Sequence, residues 1–497
     1  MSNIINGQRL SIDSEYNSQP MITHHSPSPE VNLAGAVREY AELDFEDSIS
    51  FSVADRAQQY RPLLEQNDEA LDEYDDLEQK QYRLPSEGGS IFTSFLNMAN
   101  SIIGAGIIGL PFAFKEAGFW TGLFLLIALT IIVDWTVRLL IHNGKLSGTS
   151  TYQDLMEFTF GKPGLIAISI FQFAFAFGGM AAYCVIIGDT IPHVIRSLFP
   201  KVDQVPLLWM LADRKLCISF FTLFVSYPLS LYRDISKLAK TSALALVAII
   251  IIIIAVAIEG PQMPSSVRGS SALRFNIINN EAFQAIAVMS FAFVCHHNSF
   301  LIFGSLRQPS LNRFATVTHW SMGIAFFTCL LLAVSGYWAF TDKTVGNILN
   351  NFPSDNMLIN IARLAFGLNM FTTIPLEAFV CREVLETYFW PSAKFDKMRH
   401  FFITSVLILT TVAISLLTCN LGIVLELTGA FSATVLAFVL PPLCFLKLSN
   451  GPLFHSSKIC HWACTIFGLI IMFISTFYSI RKALLPSSST SNSEVCD

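Results

Sequence analysis

Charge is what this chain of 497 residues has little of: 14% is Asp, Glu, Lys or Arg, where an ordinary soluble protein carries about 25%. With 53% hydrophobic residues and a mean hydropathy of +0.53, that scarcity excludes a soluble enzyme of this length. Walker-type phosphate loops, H-E-x-x-H and G-x-S-x-G are all missing, which removes the usual signatures of an ATPase, a zinc protease and a serine hydrolase. The ten cysteines form neither a disulfide framework nor a zinc pattern, so no metal and no cofactor is expected. No Asn-x-Ser/Thr sequon marks a glycosylated face. Nucleic acid is not expected as a partner.

The first 89 residues are a different material. They hold eighteen acidic residues against six Lys and Arg, and the rest holds nineteen against twenty-five; a balance of -12 and one of +6 give the overall -6. So polar and acidic a stretch cannot bury enough surface to fold alone. Residues 1–89 are therefore expected to be a disordered acidic cytosolic tail, with the acid-rich run from Glu65 to Glu78 solvated. The tail has no apolar core of a secretory signal, so the first membrane span is expected to direct insertion. Residues 90–482 are expected to form the membrane domain, and 483–497 a short polar tail.

About twenty apolar residues cross a bilayer. Eleven windows qualify: 91–114, 120–142, 164–188, 216–232, 240–258, 281–304, 315–340, 357–380, 401–418, 420–446 and 460–480. The fourth is short and the eighth amphipathic. The fold class is an all-α polytopic membrane protein of about eleven helices, with the lipid bilayer as its solvent. Lys and Arg in the loops favour an amino terminus in the cytosol, which puts sixteen basic residues on that side, Lys80 and Arg83 included, and fewer on the other.

The first span, SFLNMANSIIGAGIIGLPFAFKEAGF from Ser94 to Phe119, carries Asn97, Asn100, Gly104, Gly106 and Gly109 in its middle, with Pro111 just beyond. A glycine costs a helix interior about 1 kcal/mol relative to alanine, so the cluster marks where the helix opens. Opened backbone in hydrocarbon needs a polar partner, and an ion or solute can be one. In the sixth span, MSFAFVCHHNSFLIFGSLRQPS, His296, His297, Asn298 and Ser299 interrupt an apolar run; polar groups at that depth are costly and face a cavity or a neighbouring helix. Two broken spans five apart are what an inverted repeat of five plus five helices produces, with the eleventh span as an addition. That pattern points to a secondary transporter binding its substrate near the midplane.

Other polar residues lie within the spans. His296 and His297 are candidates to carry a proton, since histidine titrates near physiological pH. Glu377 in IPLEAF and Glu426 in VLELTG are two further proton candidates. Tyr183, in FQFAFAFGGMAAYC, needs a partner for its hydroxyl and is a candidate for the pocket. Asp134 and Arg138, at i and i+4, read as an intrahelical ion pair.

The GAGIIGLP core of the first span, the FAFVCHHNSF segment and TTIPLEAFVCREVLE in the eighth span together resemble the amino acid/auxin permease family. Fungal vacuolar amino acid transporters and animal sodium-coupled neutral amino acid transporters are the members this chain is most similar to. The resemblance covers about 90 to 480. It implies a fold with spans 1 to 5 inverted against spans 6 to 10, and it places Gly104, Ala105 and Gly106 at the unwound, substrate-binding part of span 1. His296 matches the histidine of the family's span-6 motif and, with Asn298, falls on the substrate side. His297 and Asn298 depart from the proline-containing form of sodium-coupled members. Asn100 matches an asparagine of the family's cation site, and the hydroxyls of Thr372 and Thr373 are its natural partners. The coupling ion is H+ or Na+.

The expectation is thus an ion-coupled secondary amino acid transporter working by alternating access. It is expected to carry neutral amino acids across the vacuolar or another intracellular membrane. A sensor using the same pocket without net transport is the alternative, and an enzyme is not expected.

Overall fold

The computed structural model describes residues 90–205, 209–232, 242–391, 393–418, 420–449, 452 and 454–484. The expected acidic tail and nearly all of the polar carboxyl-terminal tail lie outside the described residues. Ser90 caps the first helix, α1 (Ile91–Ile102), by accepting from the Thr93 amide at 3.2 Å. Helical geometry fails at Ile103 (ψ 57°) and Gly104 (ψ -156°). The chain resumes as a 3-10 turn, Ala105–Gly109, and then as α2 (Leu110–Ala117), bent from α1 by 41°. Gly118, at φ +87°, ends the span in a conformation that favours glycine, and α3 (Phe119–Ser147) begins immediately.

A short helix, α4 (Tyr152–Phe160), capped by Thr151, precedes α5 (Lys162–Leu198). The fourth window is α6 (Arg214–Phe221), which runs through a π-turn at Thr222–Ser226 into Tyr227–Ser230. Then come α7 (Ser242–Glu259), α8 (Ala282–Phe293), α9 (His296–Ser305), α10 (Leu311–Phe340), α11 (Met357–Phe389) and α12 (Lys397–Leu417). The tenth span starts as α13 (Leu421–Thr428), continues through two π-turns and ends as α14 (Leu440–Leu448); α15 (Ile459–Leu484) is the eleventh.

Nine stretches among the described residues are long and apolar enough to cross a membrane, and the bent pair α1 and α2 makes a tenth. The fourth window occupies 214–230, at the lower limit of about 17 residues for a crossing. The sixth span breaks where its polar residues stand: α8 ends at Phe293, Val294 is extended, and α9 starts at His296. Four windows lie between the two broken spans, and α5 and α11 make the most extensive helix contact among the described residues. α8 is buried on every side from Gln284 to Phe293, the mark of a central helix. Phe124, Ile131, Leu301, Trp320 and Phe327 project outward, as a lipid-facing surface requires.

Candidate functional site

The two breaks adjoin. Gly106 lies so close to α8 that a Cβ on it would stand 2.7 Å from the Ala292 Cα and 3.0 Å from a Phe291 ring carbon. Only a hydrogen fits. Gly104, two residues earlier, borders open space, with nothing within 4 Å of where its Cβ would be. Ala105 is buried between them. Just outside both breaks, Asn298 Nδ2 donates to Ser101 Oγ at 3.0 Å and ties α9 to α1.

A helix start leaves its first N–H groups without intrahelical partners, and a helix end does the same to its carbonyls. The helical stretch that resumes at Ala105 and the helix that begins at His296 both lack a side-chain cap. Their positive ends therefore lie beside the carbonyl end of α1, a pairing suited to a carboxylate and an ammonium held a few atoms apart. Aromatic groups stand next to this polar strip. Phe175 of α5 lies 5.4 Å from Phe291 and 5.0 Å from the His297 ring, centroid to centroid.

His296 is fully buried, its Nε2 3.0 Å from Thr136 Oγ1 on α3. Its Nδ1 and that of His297 are buried without a partner among the described residues. On the contact between α5 and α11, the Tyr183 and Glu377 side chains both lie against Gly179, where a Cβ would be 3.7 Å from the tyrosine oxygen and 3.9 Å from Glu377 Cγ. Glu377 Oε2 is buried and has no hydrogen-bond partner among the described residues.

Asn100 is half-buried on α1. Thr372 and Thr373 both donate to the Asn369 carbonyl, at 2.9 and 2.8 Å, which leaves the lone pairs of their hydroxyl oxygens available. Among the described residues, no hydrogen bond joins Asn100 to either threonine. Glu426 lies apart from the breaks, in α13, where it accepts from Lys482 Nζ at 2.8 Å and from Ser479 Oγ at 3.2 Å. Asp134 and Arg138 form the expected ion pair at 2.8 Å, and His319 of α10 joins it at 2.8 Å. No group of three or more His, Cys, Asp and Glu among the described residues is placed to hold a metal ion.

The model of the family described as transmembrane amino acid transporter protein matches residues 87–481. The chain belongs to this family. Vacuolar amino acid transporter 2 of Saccharomyces cerevisiae is 42% identical over 405 residues, which are 80% of this chain and 84% of that one. Putative sodium-coupled neutral amino acid transporter 11 of Danio rerio is 40% identical over 415 residues, 82% of this chain and 90% of that one. Its namesake in Homo sapiens is 39% identical over 362 residues, 72% and 87%. The crystal structure of MhsT in complex with L-phenylalanine aligns at a TM-score of 0.47 and 13% identity over 79% of this chain and 97% of that one, too distant to bear on the site. These relatives are named as transporters and none as an enzyme.

Several residues of this chain come to prominence only in three dimensions. Ser101 sits within the glycine-rich first span, yet only the fold shows that Asn298 bonds to it. Phe175 and Phe291 are two of 43 phenylalanines, and nothing in the sequence separates them from lipid-facing ones. Glu116 and Lys482 stand at the ends of their spans, where charge is ordinary, and they meet only in the folded chain.

Proposed function

We propose that this protein is a secondary active transporter that binds a neutral amino acid between the breaks of spans 1 and 6 and moves it by alternating access. The observation that carries this reading is the meeting of the two breaks, with open space at Gly104 and the Asn298–Ser101 bond bridging them. In this reading the N–H groups around Gly104, Ala105 and Gly106 hold the carboxylate. Asn298 and Ser101 orient the substrate, with His296 buried behind them as a positioning group. Phe175 and Phe291 form an apolar wall that suits an uncharged side chain.

Transport is coupled to H+ or Na+. One elementary charge crossing about 100 mV releases about 2.3 kcal/mol, enough to concentrate a nutrient without ATP. For sodium, the amide oxygen of Asn100 and the hydroxyls of Thr372 and Thr373 are the oxygen ligands. For a proton, Glu377 beside Tyr183 and Glu426 beside Lys482 are better placed than His296 and His297, whose surroundings are neutral or aromatic. The half-buried Glu377 beside Tyr183 and the buried Glu426 beside Lys482 favour H+. The yeast relative's name supports a vacuolar or other intracellular membrane, and the distribution of basic residues supports an amino terminus in the cytosol.

The test is uptake of a labelled mixture of neutral amino acids into proteoliposomes under an imposed gradient of H+ or of Na+. Accumulation that collapses with the gradient is expected. Saturable binding with no accumulation under either gradient would overturn the reading in favour of a sensor.

A further inference from the structure

Glu116 at the end of α2, Glu426 in α13 and Lys482 in the last turn of α15 meet at one point. Lys482 Nζ donates to Glu116 Oε1 at 2.6 Å and to Glu426 Oε1 at 2.8 Å. The two acids are 2% and 0% exposed, while the lysine is 34% exposed and opens the cluster to one face of the membrane. Ser479 donates to the second oxygen of Glu426, but the second oxygen of Glu116 is buried without a donor among the described residues. The two carboxyls are thus set on one and the same ammonium.

Charge balance is the difficulty. One ammonium neutralises one carboxylate, and the second negative charge is left in a buried place. Ionised carboxylates only accept hydrogen bonds and repel each other when held on one ammonium, and a proton on one of them removes that repulsion. Carboxylates that share a site hold one proton between them for this reason. The other charged groups nearby do not remove the excess. Glu116 is also the strongest charged neighbour of Lys115, ahead of Lys482, Glu281 before α8 and Asp342 after α10, but the Lys115 ammonium donates to the Thr344 carbonyl at 2.9 Å and forms no ion pair with Glu116 or Glu426 among the described residues, while Arg481 of α15 is exposed. Lys482 also lies 5.1 Å from the Phe112 ring, which fixes it over α2.

We propose that Glu116 and Glu426 hold one exchangeable proton between them, with Lys482 as shared counter-ion, and that this proton latches the ends of spans 1, 10 and 11 together. The latch lies on the face of the membrane opposite the start of span 1. When that face is acidic the cluster is neutral and the three ends stay joined. When it is alkaline the proton leaves, the carboxylates repel and the ends part. The proton site stands on its own geometry; its effect on transport rests on the transporter reading above.

The full chain in proteoliposomes tests this by infrared difference spectroscopy between alkaline and acidic buffer. Wild type is expected to show a protonated-carboxyl signal that is lost in E116Q and equally in E426Q, because either variant leaves one carboxylate paired one-to-one with Lys482. Two isosteric variants on different helices guard against a folding defect in one. The pH dependence of uptake, varied on that face alone, is expected to be lost in both. A signal that persists unchanged in both variants, or pH dependence that survives in both, overturns the proposal. A signal behaving as expected in a protein that moves no amino acid supports the proton site and overturns the transporter reading instead.

Discussion

Asn298 Nδ2 lies 3.0 Å from Ser101 Oγ, so one hydrogen bond spans the two breaks. Asn298 is in the first turn of α9 and Ser101 in the last turn of α1, which makes the bond a brace between the half-helices on one side of the opening. Its partners are 197 residues apart in the chain. Alternating access in a broken-helix carrier moves such half-helices against their neighbours, so the brace reports on the site directly.

Removing the brace has a defined cost. Hydrogen bonds between membrane helices average about 0.6 kcal/mol in double-mutant cycles, about threefold in an equilibrium constant. S101A and N298A are each expected to weaken amino acid binding by about that factor. The double variant is expected to lose less than the sum of the two. Strict additivity in binding measurements would show that the bond contributes nothing in the substrate-bound state.

Gly104 and Gly106 are expected to part company. At Gly106 even a methyl group meets Ala292 at 2.7 Å, and overpacking of this kind costs about 1–3 kcal/mol. G106A should therefore lower the thermal stability and membrane abundance of the protein. G104A meets nothing, so abundance should be normal while substrate affinity falls. Size-exclusion profiles in detergent with ligand-binding assays on both variants check this, and equal behaviour of the two would contradict it.

Arg363 gives a prediction about stability alone. Its guanidinium is fully buried and donates to the carbonyls of Leu349 and Phe352 at 2.7 Å each, to that of Pro353 at 3.2 Å and to Asn360 Oδ1 at 2.8 Å. It thereby pins the segment before α11 onto that helix. R363M keeps the bulk but strands these acceptors, each at about 1–3 kcal/mol if no water reaches it. A large drop in melting temperature in detergent is expected, and an unchanged one would show that the segment holds itself.

The spans were legible in the chain because apolar length alone locates them, but their ends were not. The third window closes at Gly188 because Asp189 follows, whereas α5 continues to Leu198: Arg214 reaches Asp189 at 3.2 Å and satisfies the buried acid from a neighbouring helix. Ser310 likewise starts α10 ahead of its apolar window by capping the Arg313 amide. α4 could not be read from hydropathy, since nine residues of mixed character fall well short of a span.

Both breaks were legible because clustered glycines and paired histidines are out of place in a membrane helix. Which glycine faces α8 and which faces open space was not, since spacing says nothing about the neighbour a Cα meets. Glu116, Glu426 and Lys482 were legible only as three separate charges, because Glu116 and Lys482 are 366 residues apart in the chain.

Whether this chain is a proton-driven carrier is decided by uptake of labelled neutral amino acids by the purified full chain in proteoliposomes, with a pH gradient imposed and sodium absent. Accumulation that disappears when a protonophore collapses the gradient is the expected result. Transport that requires sodium and ignores pH would contradict proton coupling, and no transport under either gradient would contradict the carrier itself.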